Sequence, residues 1–426
     1  MSDLHSEREP ERESERVSEK SATERATERT TETEPERVDP RRVADILGEL
    51  VRLPSVNPAL GGPGEGAVTA YVAQFLRRLG LAVEVQPVEP GRDNVIGTLP
   101  GASALHLLLE AHMDTVQTDG MTIEPYGAER RDGRLYGRGA CDTKASLAAM
   151  LAAVETMAER RLVPAAHVHL AAVVDEETTY RGIAAMADEI ADGRRRRYDA
   201  AIVGEPTELQ LIAAHNGVVR FYLESEGRAA HTSTPQRGVN AIEGLLAVLG
   251  ELRRQFEDGR WGAAHPLTGP PTFTVTGIEG GTAPNTVADR CRARLDCRLT
   301  PGMEPRELCG AIGREAERLV RELGLEPLRI AASEPFIVDY AMEVDSTHPL
   351  VGAFARILQT SGHPERILGA PYCSDASKLV RVGVPTLVFG PGSIAQAHTA
   401  DEWVELEQVS AAADALLQLA LDGWEG

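Results

Sequence analysis

Aromatic residues are scarce in this chain: Phe, Trp and Tyr together make up 4% of its 426 residues. Any core must therefore rest mainly on Ala, Val, Leu and Ile within the 42% hydrophobic total. Cysteines number five, an odd count with no CxxC pair. That excludes a disulfide framework and points to reduced thiols in a reducing compartment. Long apolar runs are missing too, since no stretch approaches the ~20 residues of a membrane-spanning helix. The opening residues are charged and lack the apolar segment of a signal peptide, so a cytoplasmic location is expected. A basic excess is also absent: 44 Lys and Arg stand against 65 Asp and Glu, for a formal net charge of −21. Phosphates and anionic lipids are drawn to clustered positive charge, so neither nucleic acid nor a membrane is an expected partner. The longest basic run, 194–197, reads as a solvated loop.

Residues 1–37 are dominated by Glu, Arg, Ser, Thr and Pro. Such a segment cannot offset its ordering entropy by burial, and a disordered charged tail is expected there. The remaining length favours two domains. Asp39-Pro40 reads as an N-cap with Pro at the first helical position, and Val43, Ile46, Leu47, Leu50 and Val51 follow at helical spacing. A Gly-rich loop, 61–66, precedes a second helix with Tyr71, Val72, Phe75, Leu76 and Leu79. Short apolar strands at 105–111, 166–174, 200–203 and 386–389 then alternate with helices. The reading is an α/β fold: a catalytic domain with a mostly parallel mixed sheet, buried on both faces.

The middle of the chain has another rhythm. A strand over 217–226, a helix with Ile242, Leu245, Leu246, Leu249 and Leu252, strands near 272–278 and 286–299, a second helix and a last strand near 328–331 follow in order. This β-α-β-β-α-β sequence predicts a ferredoxin-like α+β unit. It is expected as an insertion over 214–331 between two catalytic segments, 38–213 and 332–426.

Metal-capable side chains stand where the apolar strands run out. His112 and Asp114 follow 105–111, Glu176 and Glu177 follow 168–174, Glu205 follows 202–203, and His398 lies beyond 387–389. Asp142 joins them from the loop 136–144, just ahead of a helix. Ligands of open α/β sheets bind at the carboxyl ends of strands. Each residue alone has a plainer reading: a structural histidine, a surface Glu pair, a helix N-cap, the start of a turn. The set is what carries specificity. Imidazoles and carboxylates suit zinc or a similar borderline metal. Two imidazoles and three carboxylates are too few for two isolated tetrahedral sites, yet they suffice if one carboxylate bridges two ions and water completes each shell. Asp114, two residues past His112, is placed to hold the other imidazole nitrogen. Of the adjacent Glu176 and Glu177, one can ligate while the other takes a proton from water.

These motifs resemble the dinuclear zinc amidohydrolase superfamily of acetylornithine deacetylase, succinyl-diaminopimelate desuccinylase and glutamate carboxypeptidase. The resemblance rests on His112-Met113-Asp114-Thr115-Val116, Gly137-Arg138-Gly139-Ala140-Cys141-Asp142-Thr143-Lys144, Asp175-Glu176-Glu177, Gly204-Glu205-Pro206-Thr207 and Gly390-Pro391-Gly392-Ser393, in that order. It implies two Zn2+ ions per subunit, with Co2+ or Mn2+ as substitutes. Asp142 would bridge them, His112 and Glu205 would bind one, and Glu177 and His398 the other. Glu176 would be the general base that later protonates the leaving amine, with Asp114 as a further catalytic residue. Ala230-His231-Thr232-Ser233 resembles the family's lid motif, in which the histidine polarises the scissile carbonyl in the partner subunit's site. That implies a homodimer and makes the insertion a lid and dimerisation domain. Asn285, within Ala283-Pro284-Asn285-Thr286, would contact substrate. Arg298, within Asp296-Cys297-Arg298-Leu299-Thr300-Pro301-Gly302, would grip its carboxylate. Period-two alternation alone would make Arg298 a surface residue; the resemblance reverses that reading, because a guanidinium fork suits a carboxylate. Ala111 and Ala145-Ser146 depart from the family's frequent glycines while remaining small.

The expected activity is hydrolysis of the amide bond of an N-acyl amino acid, as in acetylornithine deacetylases, by water activated at the metals with a Glu base. Succinyl-diaminopimelate desuccinylase or a glutamate carboxypeptidase-type exopeptidase acting on a short peptide is the alternative. A Glu at the Glu205 position goes with deacylases and carboxypeptidases, whereas di- and tripeptidases more often carry Asp. A non-catalytic binding protein on the same fold is a remote third reading, since it would need no Glu176. The glycines at 61–66 and 137–139 lack the GxGxxG order of a dinucleotide site. Tyr372, Cys373 and Asp375 are candidates for the pocket wall, with a structural role reading equally well.

Overall fold

The structure is a computed structural model that describes residues 35–363 and 366–424. The tail expected over 1–37 lies outside these residues but for its last three. The helix α1 (Pro40–Val51) begins as its sequence dictates: Asp39 accepts a hydrogen bond from the Arg41 N–H, and Pro40 fills the first turn. Its apolar stripe, Val43, Ile46, Leu47, Leu50 and Val51, is fully buried.

A mixed nine-stranded sheet carries the larger part of the fold. In spatial order it runs β1 (Ala82–Glu89), β2 (Arg92–Leu99), β6 (His167–Val173), β3 (His106–His112), β7 (Ala200–Val203), β16 (Thr386–Val388), β8 (Leu211–His215) and β14 (Met342–Glu343), while β15 (Ile367–Ala370) also pairs with β8. The central strands β6, β3, β7 and β16 are mutually parallel. Alternate side chains of β3 enter opposite cores: Leu107, Leu109 and Ala111 one, Leu108 the other. Both faces are covered, which is why these strands read as unbroken apolar runs. The helix α3 (Lys144–Arg160) is buried almost throughout, and its alanines let it lie close against α1 and α9 (Leu406–Asp422). Small residues here do what aromatics would do in a richer sequence.

The second sheet has the order β10 (Thr272–Gly280), β11 (Arg290–Leu299), β9 (Gly217–Glu226), β12 (Arg329–Ala332), with β13 (Ile337–Asp339) also on β9. All its pairings are antiparallel. With α5 (Ala241–Glu257) and α6 (Pro305–Glu322) on one face, this is the ferredoxin-like order. Val219, Phe221 and Leu223 of β9 and Ala293, Leu295 and Cys297 of β11 point to those helices, so Arg220, Arg294, Asp296 and Arg298 take the other face.

Several details differ from expectation. The strand expected from Thr286 starts at Arg290, because Thr286 is drawn into a bridge with His231. Ala214 and His215 pair in the large sheet, and the smaller sheet reaches on to Asp339. The β1–β2 hairpin gave no clear signal, since Pro87 and charged residues interrupt its alternation. A small third sheet joins β17 (Trp403–Glu405), β5 (Arg134–Tyr136) and β4 (Glu129–Arg131). Its pairing across so long a sequence separation cannot be read from local pattern.

Candidate metal centre

The parallel strands deliver their terminal side chains to one crevice. His112 is the last residue of β3, Glu176 and Glu177 lie just past β6, Glu205 just past β7, and His398 in the loop between β16 and β17. Asp142 enters from the turn before α3. Ligand atoms of His112, Asp142 and Glu205 all lie within 4.8 Å of one another, as do those of Asp142, Glu177 and His398. Asp142 is common to both groups. Its Oδ1 is 3.1 Å from His112 Nε2, and its Oδ2 is 3.4 Å from His398 Nε2. His398 Nε2 is 3.1 Å from a Glu177 oxygen. Glu176 stands outside both triplets, with an oxygen 3.9 Å from His112 Nε2.

The supports are built as tightly as the groups they hold. His112 Nδ1 lies 3.0 Å from the Asp114 carbonyl oxygen, which can only accept, so Nδ1 carries the proton and Nε2 faces Asp142. The Asp114 carboxylate, expected on Nδ1, is 3.6 Å from it and serves elsewhere. Its two oxygens accept the Glu176 N–H at 3.0 Å and the Glu177 N–H at 3.1 Å, and Asn57 Nδ2 donates to it at 2.7 Å. Asp114 therefore sets the backbone of the glutamate pair as well as bordering the imidazole. Thr143 Oγ1 donates to the Gly204 carbonyl, tying the Asp142 turn to the end of β7. Gly204 and Gly390 make room for the start of α3: a Cβ on either would come within 2.6 Å of Ser146. A small residue at 146 suffices because those two neighbours are glycines.

Electrostatics follow from crowding carboxylates in a buried crevice. Burial works against a charge on His112, yet Asp114, Asp142 and Glu176 raise its pKa well above the ordinary value. His398 is raised to about 10 by hydrogen bonds to Asp142 and Glu177. Burial, and then the Asp142 charge, push Glu177 up to about 7. Glu176 and Glu205 are raised well above the carboxylate range, chiefly by burial. Asp142 moves the other way: burial opposes its charge, but the two imidazoles hold it down. Excess negative charge facing inward, with both imidazoles present, fits divalent cations of the borderline class.

The remaining expected residues fall elsewhere. His231 and Asn285 are exposed on the smaller domain and held together there: His231 bridges Thr286, and the Thr232 N–H donates to the Asn285 carbonyl. Among the described residues neither has a hydrogen bond or ion pair to the six groups above. Arg298, half-buried on the open face of the smaller sheet, donates from Nε to Asp296 at 3.0 Å, and Arg220 holds the other oxygen of Asp296 at 2.7 Å. The Arg298 charge is felt at Cys373, beyond β15.

Residues 108–422 match Peptidase family M20/M25/M40. The chain belongs to that family. It is a metal-dependent hydrolase on an α/β fold with a separate antiparallel sheet. A tripeptidase from Staphylococcus aureus superposes with a TM-score of 0.75 at 20% identity, covering 91% of this chain and 99% of that one. Aminopeptidase PepT from Bacillus cereus gives 0.73 at 19%, covering 90% and 99%. The Bacillus subtilis YxeP protein, titled a dinuclear metal-binding peptidase from the M20 family, gives 0.67 at 15%, covering 90% and 98%. At such identities these likenesses speak to the fold.

Sequence reasoning gave no role to some groups around this M20 centre, and left Asp375 and Tyr372 between pocket wall and structural support. Asn57, Arg138 and Glu402 act through hydrogen bonds made far apart in sequence. Glu110 and Asp375 are a buried carboxyl pair with no hydrogen-bond partner in the protein. Burial lifts Glu110 to about 8 and Asp375 well above its ordinary value; the Glu110 charge raises Asp375 further, while Asp375 works against the rise of Glu110. Glu110 was legible only as an odd charge inside an apolar strand. Tyr372 is mostly buried, its hydroxyl within the field of Glu205 and Asp142.

Proposed function

We propose that this M20 enzyme hydrolyses the amide bond of an N-acyl amino acid, as acetylornithine deacetylases do, with two Zn2+ ions held by the crevice. The observation that carries the reading is that Asp142 belongs to both ligand triplets. His112 and Glu205 complete one ion position, Glu177 and His398 the other, and Co2+ or Mn2+ would substitute. Bound there, the cations would polarise the amide carbonyl and make water acidic enough to lose a proton near neutrality. Glu176 is the carboxylate left over for proton work. It takes a proton from the attacking water and returns it to the leaving nitrogen, a task suited to a group whose pKa lies above the usual carboxylate range. Asp114 holds the Glu176 N–H and so sets the base against the carbonyl carbon.

The inserted segment acts in this reading as lid and dimerisation domain. His231 and Asn285 lie exposed on adjoining segments; His231 reaches the partner subunit's crevice, Asn285 contacts substrate, and Arg298 takes the substrate carboxylate in its fork. Five free cysteines agree with a cytoplasmic location. Among the described residues no helix is long and apolar enough to cross a membrane.

Steady-state hydrolysis of N-acetylornithine, succinyl-diaminopimelate, an acyl-glutamate and a set of di- and tripeptides tests the choice. Turnover of the acetylated amino acid above the others is expected. Cleavage of peptides alone would replace it with the second reading, an exopeptidase. That reading is favoured by the fold's likeness to a tripeptidase and to PepT, and disfavoured by Glu rather than Asp at 205.

A further inference from the structure

His398 sits in an unusual position for a metal ligand. Its side chain is 50% exposed, its φ is +61°, and residues 393–401 around it bury none of their number. Among the described residues, none of this loop packs into a hydrophobic core. What holds it is polar: Thr122 donates from its N–H and Oγ1 to the Ala400 carbonyl at 2.8 and 3.3 Å, Cys141 Sγ donates to the Ser393 carbonyl at 3.3 Å, and one buried guanidinium ties the residue beside His398 to the Asp142 turn. Arg138, 3% exposed, donates from Nη2 to the Thr399 carbonyl at 3.4 Å, from Nε to the Gln117 carbonyl at 3.0 Å, and from Nη1 to Glu402 at 2.6 Å. Glu402, 1% exposed, turns its other oxygen to the Cys141 N–H at 2.9 Å and the Asp142 N–H at 3.0 Å. One buried ion pair thus touches the residue next to His398 and the backbone of Asp142.

A buried ion pair is a poor way to gain stability, because desolvation cancels most of the attraction; its use lies in direction. Here the directed bonds run to two loops that are remote in sequence and meet only at the crevice. We propose that Arg138 and Glu402 are positioning residues that lock the His398 loop to the Asp142 turn. The ion position formed by Asp142, Glu177 and His398 keeps its affinity only while this lock is intact. The inference rests on the two-ion reading above. The position formed by His112, Asp142 and Glu205 depends on it far less, since His112 ends a strand and Thr143 ties the Asp142 turn to Gly204.

The test uses metal-free full-length protein titrated with Zn2+ alone against a competing chelator. The variant is Arg138→Met combined with Glu402→Gln, which leaves no unpaired buried charge. It also keeps an amide oxygen for the two backbone N–H groups, so the Asp142 turn stays held while the His398 loop loses its tie at Thr399. Circular dichroism verifies folding. Wild type is expected to take two ions; the double variant should bind the first as wild type does and the second about 10- to 100-fold more weakly. Arg138→Lys keeps a charge for Glu402 but cannot fork to the Thr399 and Gln117 carbonyls, so it should weaken the second ion as well. A folded double variant, or Arg138→Lys, that binds both ions as tightly as wild type overturns the lock. A wild type that takes a single ion overturns the two-ion reading itself, and the lock with it.

Discussion

Strand β3 ends in histidine at both extremities, and the two ends have opposite chemistry. His106 and His112 project from the same face, about 20 Å apart along the strand. At the amino end, His106 Nδ1 is 2.8 Å from His169 Nε2, and His106 stacks on His167 with ring centroids 4.6 Å apart. His169 also meets Thr98 Oγ1 at 3.0 Å and lies edge-on to Tyr198. Burial, then the neighbouring His106 and arginines, bring His169 down to about 3, and burial with Arg196 lowers His106 as well. At the carboxyl end the neighbours are Asp114, Asp142 and Glu176, and His112 rises despite complete burial. Among the described residues, both groups able to hold an ion lie at the His112 end. Imidazoles in number do not make a metal centre. Carboxylates converging on them do, and in this fold those come from the loops beyond the strands' carboxyl ends.

The contrast between the two ends of β3 predicts its largest effect at Glu176. Glu176→Gln should lower kcat by about 10²- to 10⁴-fold while leaving ion content unchanged; a variant still turning over at the wild-type rate would remove Glu176 as the base. Asp114→Asn comes next. It cannot accept from both the Glu176 and Glu177 N–H groups, so metal affinity or turnover should fall about 10- to 100-fold. Wild-type values for both would reduce Asp114 to a bystander.

Proton release measures the same contrast more gently. In metal-free protein Glu177 holds its proton below about 7 and His398 below about 10. Ligands must lose protons to bind. Zn2+ uptake should therefore release more protons on the acid side of 7 than between 7 and 10, and affinity should rise with pH across that span. Calorimetry in buffers of different ionisation enthalpy reads the count; a pH-independent release would contradict it. The smallest functional effect belongs to the amino end. His169→Phe removes bonds to His106 and Thr98, and stability should drop by about 1 to 3 kcal/mol in chemical denaturation. Ion content and kcat should not move, and a lost ion there would mean that the two ends are coupled.

Four of the five candidate ligand segments follow an apolar strand, and strand ends are where an α/β sheet gathers function; Asp142 comes instead from the turn before α3. The smaller domain was legible from its alternation: Cys291, Ala293, Leu295 and Cys297 face α5 and α6 as their spacing requires. What was hidden depends on contacts that local pattern does not encode. Glu402 looks like one more acidic residue of an acidic chain until Arg138 and two backbone N–H groups are found around it. The Asp114 carboxylate was expected on the His112 imidazole; its actual task, holding the Glu176 and Glu177 N–H groups, emerges only when β3 and β6 are paired. The start of β11 was misplaced because Val287 lies in phase with Cys291, Ala293 and Leu295 in a segment that closes on His231 instead.

In the proposed centre Asp142 serves two ions at once, and counting ions in wild type and Asp142→Ala tests that most directly. Elemental analysis of dialysed, zinc-loaded protein should find two ions per wild-type chain and neither held in the variant. A variant that keeps one ion as tightly as wild type, with its fold intact, would show that Asp142 serves a single site and would contradict the shared-carboxylate centre.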